Sequence, residues 1–288
     1  MPGRLSILAR LAGVLAAAAL LPAVVAPVAH ACGGPNYVSA KSDQGPGRPP
    51  YIIGDSTMIY AAPMLASLGF DADAKGCRQF SEGVAMVAGR KAAGTLPHVV
   101  VLALGANGPI ADAQITQTLG ILGPRRILVL VTPRQAAGSQ AAMRRAAARS
   151  PERVLLVDWV AFSAGRGNLF AGDGLHVTPG GARVFSRFIR RSIAPYAFAP
   201  AATLRVPARA VALPSCGSVR RAGRTLRVFI ARGGERMTCG RARDLARRPL
   251  LRPAAGWRSY DWRTVSGSSW SQLVARRDRK FIVGLSPA

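Results

Sequence analysis

Acidic residues are scarce in this sequence: 13 Asp and Glu stand against 39 Lys and Arg, a formal net charge of +26. Histidine is scarcer still, with three in 288 residues. No His and Cys cluster with zinc spacing can be assembled from so few, so no metal and no cofactor is expected. Aromatic residues make up only 6% of the chain, yet 49% is hydrophobic, so disorder is excluded and a sizeable core is affordable. Beyond Val28 no apolar run is long enough to span a bilayer. No internal repeat is present.

What the sequence does have begins with a leader pattern. Arg4 and Arg10 give a basic start, Leu11 to Val28 is apolar, and Ala29-His30-Ala31 offers small residues at a cleavage site. This reads as a secretory signal peptide over residues 1–31, in preference to a membrane anchor. Cys32 follows directly, but His30 and Ala29 fit a lipoprotein signal poorly. The mature chain is therefore expected outside the cytoplasm, in the periplasm or cell wall or fully secreted, without a transmembrane segment. An even count of cysteines suits that setting. Cys216 and Cys239 lie in one late region and are expected to pair, which leaves Cys32 with Cys77.

The charge surplus bears on partners. A surface so basic attracts polyanions. Nucleic acid is the familiar case but is not expected for an exported chain; an anionic envelope polymer or lipid headgroups fit better. The surplus is nearly all Arg, beside abundant Ala and Gly, and a GC-rich genome produces that bias with no partner at all. The two readings stand level.

The middle of the chain alternates strand and helix signals. Tyr51–Ile53, His98–Leu104, Arg126–Val131 and Arg153–Val157 are short continuous apolar runs, as buried parallel strands are, and Gly69–Ala72 adds a further candidate. Thr57–Leu68, Ser81–Ala92, Ile110–Leu122 and Gln140–Ala148 read as helices, with Pro63 a breaker inside the first. Thr178 and Pro179 mark a helix start, followed by Val184, Phe185, Phe188, Ile189 and Ile193 at helical spacing. Such alternation predicts an α/β three-layer sandwich with right-handed crossovers. The expected organisation is a signal peptide at 1–31, an N-terminal extension at 32–49, an α/β domain at 50–196, an Ala/Pro-rich linker at 197–214 and a small basic α+β module at 215–288. In that module Leu226–Ile230 and Phe281–Leu285 read as strands and Cys239–Leu250 as a helix.

Four short blocks carry chemistry. Gly54-Asp55-Ser56 follows the first strand and precedes a helix, so Ser56 sits where unpaired N–H groups favour negative charge. Asp173-Gly174-Leu175-His176 spaces a carboxylate and an imidazole for one turn, in which Asp173 can fix the ring and His176 can serve as base to a serine. Leu104-Gly105-Ala106-Asn107-Gly108 ends the second strand with an amide donor that could face an oxyanion. Gly76, in Lys75-Gly76-Cys77-Arg78-Gln79, could offer a backbone N–H at close approach. Each block alone reads equally as a cap or a turn. His98 opens a strand, away from the carboxyl ends, and reads as structural.

Together, in this order, the blocks resemble the SGNH (GDSL-like) hydrolases over roughly Pro50 to Tyr196. Gly76 is one of several glycines that could take its place in that pattern. The resemblance implies a flavodoxin-like parallel sheet and ester chemistry with Ser56, Asp173 and His176 as catalytic residues. It also implies an oxyanion hole from the Ser56 N–H, the Gly76 N–H and the Asn107 side chain. Gly54-Asp55-Ser56-Thr57-Met58 is not the G-x-S-x-G of α/β-hydrolases. Further phrases, Asp73-Ala74 with Arg78-Gln79-Phe80, Thr132-Pro133 and Asp158-Trp159, resemble the extracytoplasmic domains of peptidoglycan O-acetyltransferases. The expected substrate is an acyl ester, such as an O-acetylated polysaccharide. Hydrolysis is favoured over transfer to a cell-wall glycan, because it needs only water. The competing expectation is a non-catalytic envelope-binding protein, docked through the basic module. There Trp257, Tyr260, Trp262 and Trp270 are either sugar-stacking or core residues.

Overall fold

A computed structural model describes residues 32–33, 36–41, 48–197, 213, 215–221, 223–232, 237–249, 251, 253–261, 272–276 and 282–287. The expected signal peptide, nearly all of the expected linker, and Trp262, Trp270 and Phe281 lie outside the described residues.

Six strands, β1 (Asn36–Val38), β2 (Tyr51–Gly54), β3 (Asp71–Ala74), β4 (Val99–Ala103), β5 (Ile127–Val131) and β6 (Val154–Val157), form one sheet in the order β1-β3-β2-β4-β5-β6. Strands β2 to β6 are parallel, and β1 joins the edge antiparallel to β3. The central strands are continuously apolar because both faces are covered; β4 and β5 are buried at every position. On one face Ile52, Val101 and Val129 pack with α1 (Ala62–Ser67), α5 (Trp159–Ser163) and α6 (Pro179–Ala197). On the other, Ile53, Val100 and Leu128 pack with α2 (Phe80–Ala92), α3 (Asp112–Leu122) and α4 (Ala137–Arg149). The result is the three-layer α/β sandwich the sequence implies.

The chain leaves β2 toward β3 on one side and returns to β4 on the other. Loops at the carboxyl ends of β2 and β4 therefore diverge and open a crevice, the usual ligand position of such sheets. Two expected elements shift. The helix read over Thr57–Leu68 is a 3-10 turn, Ser56–Ala61, followed by α1, whose first turn takes Pro63 where a missing N–H costs no bond. The strand read at Gly69–Ala72 is β3, two residues later, because Gly69, at φ 92°, is spent on the turn out of α1. Thr178 caps α6 as expected, its hydroxyl accepting from the Gly181 N–H at 3.0 Å.

A second, antiparallel sheet of β7 (Ser215–Arg221), β8 (Arg224–Arg232), β9 (Trp257–Asp261), β10 (Gln272–Arg276) and β11 (Ile282–Pro287) has the order β7-β8-β11-β10-β9. Helix α7 (Cys239–Arg247) lays Ala242, Leu245 and Ala246 on Val219, Leu226 and Val228. Trp257 is buried in this core. Arg221 links the two sheets: its Nε lies 3.1 Å from Glu152 Oε1, and Nη1 donates to the Ala246 and Arg248 carbonyls. Disulfides join Cys32 to Cys77 and Cys216 to Cys239. Among the described residues no helix is long and apolar enough to cross a membrane.

Candidate active site

Ser56 starts the 3-10 turn directly after β2. Asp55 makes that turn possible. It is buried, its Oδ1 accepts from the Thr57 N–H at 3.0 Å and from the Thr57 hydroxyl at 2.7 Å, and its Oδ2 accepts from the Ala106 N–H at 3.3 Å. Burial raises the Asp55 carboxyl above its ordinary range, and the bonds from Thr57 and Ala106 oppose the rise. One carboxylate thus binds the serine turn to the turn after β4.

Asp173 and His176 lie in a closed loop between Phe170 and Val177, which pair as an antiparallel bridge. Asp173 organises it from within: Oδ1 accepts from the Leu175 and His176 N–H groups at 2.8 and 3.0 Å. Oδ2 lies 2.6 Å from His176 Nδ1, and His176 Nε2 lies 2.9 Å from Ser56 Oγ. With the ring proton on Nδ1, Nε2 accepts from the serine hydroxyl, the connectivity that raises serine nucleophilicity. The His176 bond, then the two backbone donors, hold the Asp173 carboxyl down at about 2. It is thus ionised throughout the neutral range, ready to stabilise an imidazolium.

Asn107 lies on the turn after β4, next to Ala106, whose N–H Asp55 holds. Its Nδ2 is buried with no hydrogen-bond partner among the described residues. A buried donor left unpaired carries a desolvation cost of about 1–3 kcal/mol, which an incoming acceptor removes. The Asn107 carbonyl is held by Gln79 Nε2 at 2.7 Å, and Ser139 Oγ donates to Gly105 and Gly108 carbonyls. Gly76 is buried in the turn after β3, which is tied to β2 by the Lys75 N–H to Gly54 carbonyl bond of 3.3 Å. Arg78, also buried, donates to the Gly54 and Asp73 carbonyls and pairs with Asp73 at 2.7 Å. His98 sits at the amino end of β4, on the opposite edge of the sheet.

The structure therefore brings Ser56, His176 and Asp173 into one line and sets Asn107 and Gly76 on neighbouring turns. Sequence reasoning gave no role to Asp55, Arg78 or Gln79, which position these turns. It also passed over Arg134 and Gln135, whose only signal is their place at the carboxyl end of a buried strand. Among the described residues no group of His, Cys, Asp and Glu is arranged to hold a metal ion.

A mostly parallel α/β sheet with these four blocks at its carboxyl edge places the chain in likeness with the SGNH hydrolases, in their peptidoglycan O-acetyltransferase flavour. No family profile matches the chain. The peptidoglycan O-acetyltransferase OatA of Listeria monocytogenes is 31% identical over 137 residues, 46% of this chain and 22% of that protein. The putative peptidoglycan O-acetyltransferase YrhL of Bacillus subtilis is 28% identical over 141 residues, and the O-acetyltransferase OatA of Staphylococcus aureus 29% over 153. The matches span only 22 to 25% of the length of these curated relatives. The C-terminal catalytic domain of the Streptococcus pneumoniae peptidoglycan O-acetyltransferase OatA superposes with a TM-score of 0.46 and 21% identity, over 51% of this chain and 92% of that one. A lipase/acylhydrolase from Enterococcus faecalis gives 0.40 and 19%, over 50% and 95%.

Proposed function

We propose that this protein is an extracytoplasmic serine enzyme that handles acyl esters, of which acetyl is the favoured group, through an acyl-Ser56 intermediate. The observation that carries the reading is the unbroken line Asp173–His176–Ser56, at 2.6 and 2.9 Å. In this mechanism Nε2 of His176 takes the hydroxyl proton as Ser56 Oγ attacks the ester carbonyl. Asp173 stabilises the imidazolium so formed. The oxyanion is held by the Asn107 amide with the Ser56 and Gly76 N–H groups. His176 then returns the proton to the departing alkoxide. Water, activated by the same base, releases the acid, which makes the enzyme a hydrolase.

A second reading has a sugar hydroxyl replace water, so that the acyl group passes to cell-wall glycan. The likeness to the O-acetyltransferases of Listeria, Bacillus and Staphylococcus favours it. Export after Ala31 is supported by the leader pattern and by the two disulfides. We assign residues 50–196 to the catalytic domain. Residues 215–288, with exposed Arg220, Arg224 and Arg227, are assigned to docking on an anionic envelope polymer.

The test is p-nitrophenyl acetate turnover by the mature protein and by Ser56→Ala, with and without a chitooligosaccharide acceptor. Turnover abolished in the variant supports the acyl-serine route. Acetylated oligosaccharide in the products selects transfer, and acetate alone selects hydrolysis. Equal rates in both proteins would sink the assignment in favour of a binding protein.

A further inference from the structure

The half of the site that carries Asp173 and His176 has little burial to hold it: the two side chains are 48% and 38% exposed. Beyond the ties within the turn itself, what fixes it comes from the loop between β5 and α4, Thr132-Pro133-Arg134-Gln135. That loop is itself anchored. Thr132 Oγ1 donates to Asp158 Oδ1 at 2.9 Å and accepts from the Val160 N–H at 3.1 Å, and Gln140 Nε2 donates to the Pro133 carbonyl at 2.9 Å. From this base Arg134 Nε donates to the Gly174 carbonyl at 2.8 Å, and Gln135 Nε2 donates to the Asp173 carbonyl at 2.9 Å. Two consecutive side chains thus grip two consecutive carbonyls of the Asp173–His176 turn.

Both grips are held in place. The Arg134 guanidinium lies over the Phe170 ring, 4.0 Å from its centroid, and Nη1 donates to Ser163 Oγ at 3.2 Å. Gln135 has φ 55°, a left-handed conformation that a residue with a side chain keeps only where its surroundings enforce it. At Gln135 the strained backbone carries the side chain that reaches Asp173.

We infer that Arg134 and Gln135 are positioning residues that keep His176 Nε2 within hydrogen-bond reach of Ser56 by holding the Asp173 and Gly174 carbonyls. The inference rests on the acyl-Ser56 reading and deepens it. A misplacement of about 1 Å at reacting groups costs on the order of 10²-fold in rate, so the loss falls on kcat and leaves KM for a small ester nearly unchanged.

The experiment compares Gln135→Ala, Arg134→Ala and Arg134→Lys with the parent and with Ser56→Ala in p-nitrophenyl acetate hydrolysis. In parallel, proton NMR follows the low-field Nδ1–H signal of His176, identified by its absence in His176→Ala. The expected result is a kcat lower by about 10- to 100-fold in both alanine variants, with partial recovery in Arg134→Lys, which keeps one donor. The His176 signal broadens or disappears while the far-UV circular dichroism stays that of the parent. Gln135→Ala alone decides the matter if Arg134→Ala fails to fold. Parental kcat with an unchanged His176 signal in Gln135→Ala overturns the inference. If the parent turns over no faster than Ser56→Ala, the acyl-serine reading falls; the NMR arm still tests the grip, and an unchanged signal overturns it.

Discussion

Gln79 donates from Nε2 to the Asn107 carbonyl at 2.7 Å, so one side chain fastens the turn after β3 to the turn after β4. Gln79 is in turn fixed at the start of α2, its N–H donating to Glu82 Oε1 at 3.0 Å. There is no slack on the other side: a Cβ at Gly108 would lie 2.6 Å from Gln79 Oε1. The Asn107 amide is thereby left as a donor on a backbone that does not need to move. Asn107→Ala is expected to lower kcat by about 10²- to 10³-fold with KM little changed, as the loss of one oxyanion donor does. Gln79→Ala should show a smaller fall of the same kind in steady-state kinetics.

Asp173 predicts a pH signature. Its carboxyl is pulled down to about 2, first by the His176 bond and then by the Leu175 and His176 N–H groups. An unfolded Asp titrates near 3.9. A depressed carboxylate contributes stability that is fully present above the unfolded value and fades as pH falls through the folded one. The stability gap between the parent and Asp173→Asn should thus be constant from about pH 5 upward and close between about pH 4 and pH 2. Thermal unfolding across that range measures it. At neutral pH the same variant should lose up to about four orders of magnitude in kcat, because the ring loses its orienting carboxylate.

Asp55 binds two turns and touches neither Ser56 nor His176 by a side-chain hydrogen bond. Asp55→Ala orphans the Thr57 N–H and the Ala106 N–H, both part-buried. A cost of about 1–3 kcal/mol is expected for each group left unsatisfied. Urea unfolding reads that loss, and a retained parental midpoint would contradict the bridging role.

Gly181 lies in the first turn of α6, where a Cβ would sit 1.9 Å from the Leu169 carbonyl oxygen. That neighbour is backbone and cannot swing aside. Gly181→Ala should cost about 1–3 kcal/mol, and it should also slow turnover, since Thr178 and His176 lead directly into this turn. The urea midpoint and the kcat of one preparation test both.

The blocks of the candidate site were legible because each is local: Gly54-Asp55-Ser56 and Asp173 to His176 need only a strand end or a single turn to come into hydrogen-bond reach of one another. The buried strands were legible for the same reason, since Val99–Ala103 and Ile127–Val131 carry their environment in their composition. Strand β1, Asn36–Val38, carries no such mark, being short, polar at one end and paired only at an edge. The contacts that position the site join residues far apart, Gln79 to Asn107, Asp55 to Ala106 and Gln135 to Asp173. No periodicity encodes a side chain that reaches a carbonyl 28 or 38 residues away. Trp257 could be read two ways from sequence, and burial decides for the core.

Cys77 follows Gly76 directly, sits at φ 55°, and is bonded to Cys32, 45 residues earlier. A chain still in a reducing compartment has every side chain of the site but lacks this tie. Its Gly76 turn is not yet fastened to the segment that runs into β1. The tie between the Gly76 turn and the segment that runs into β1 is therefore one that only an oxidising setting supplies.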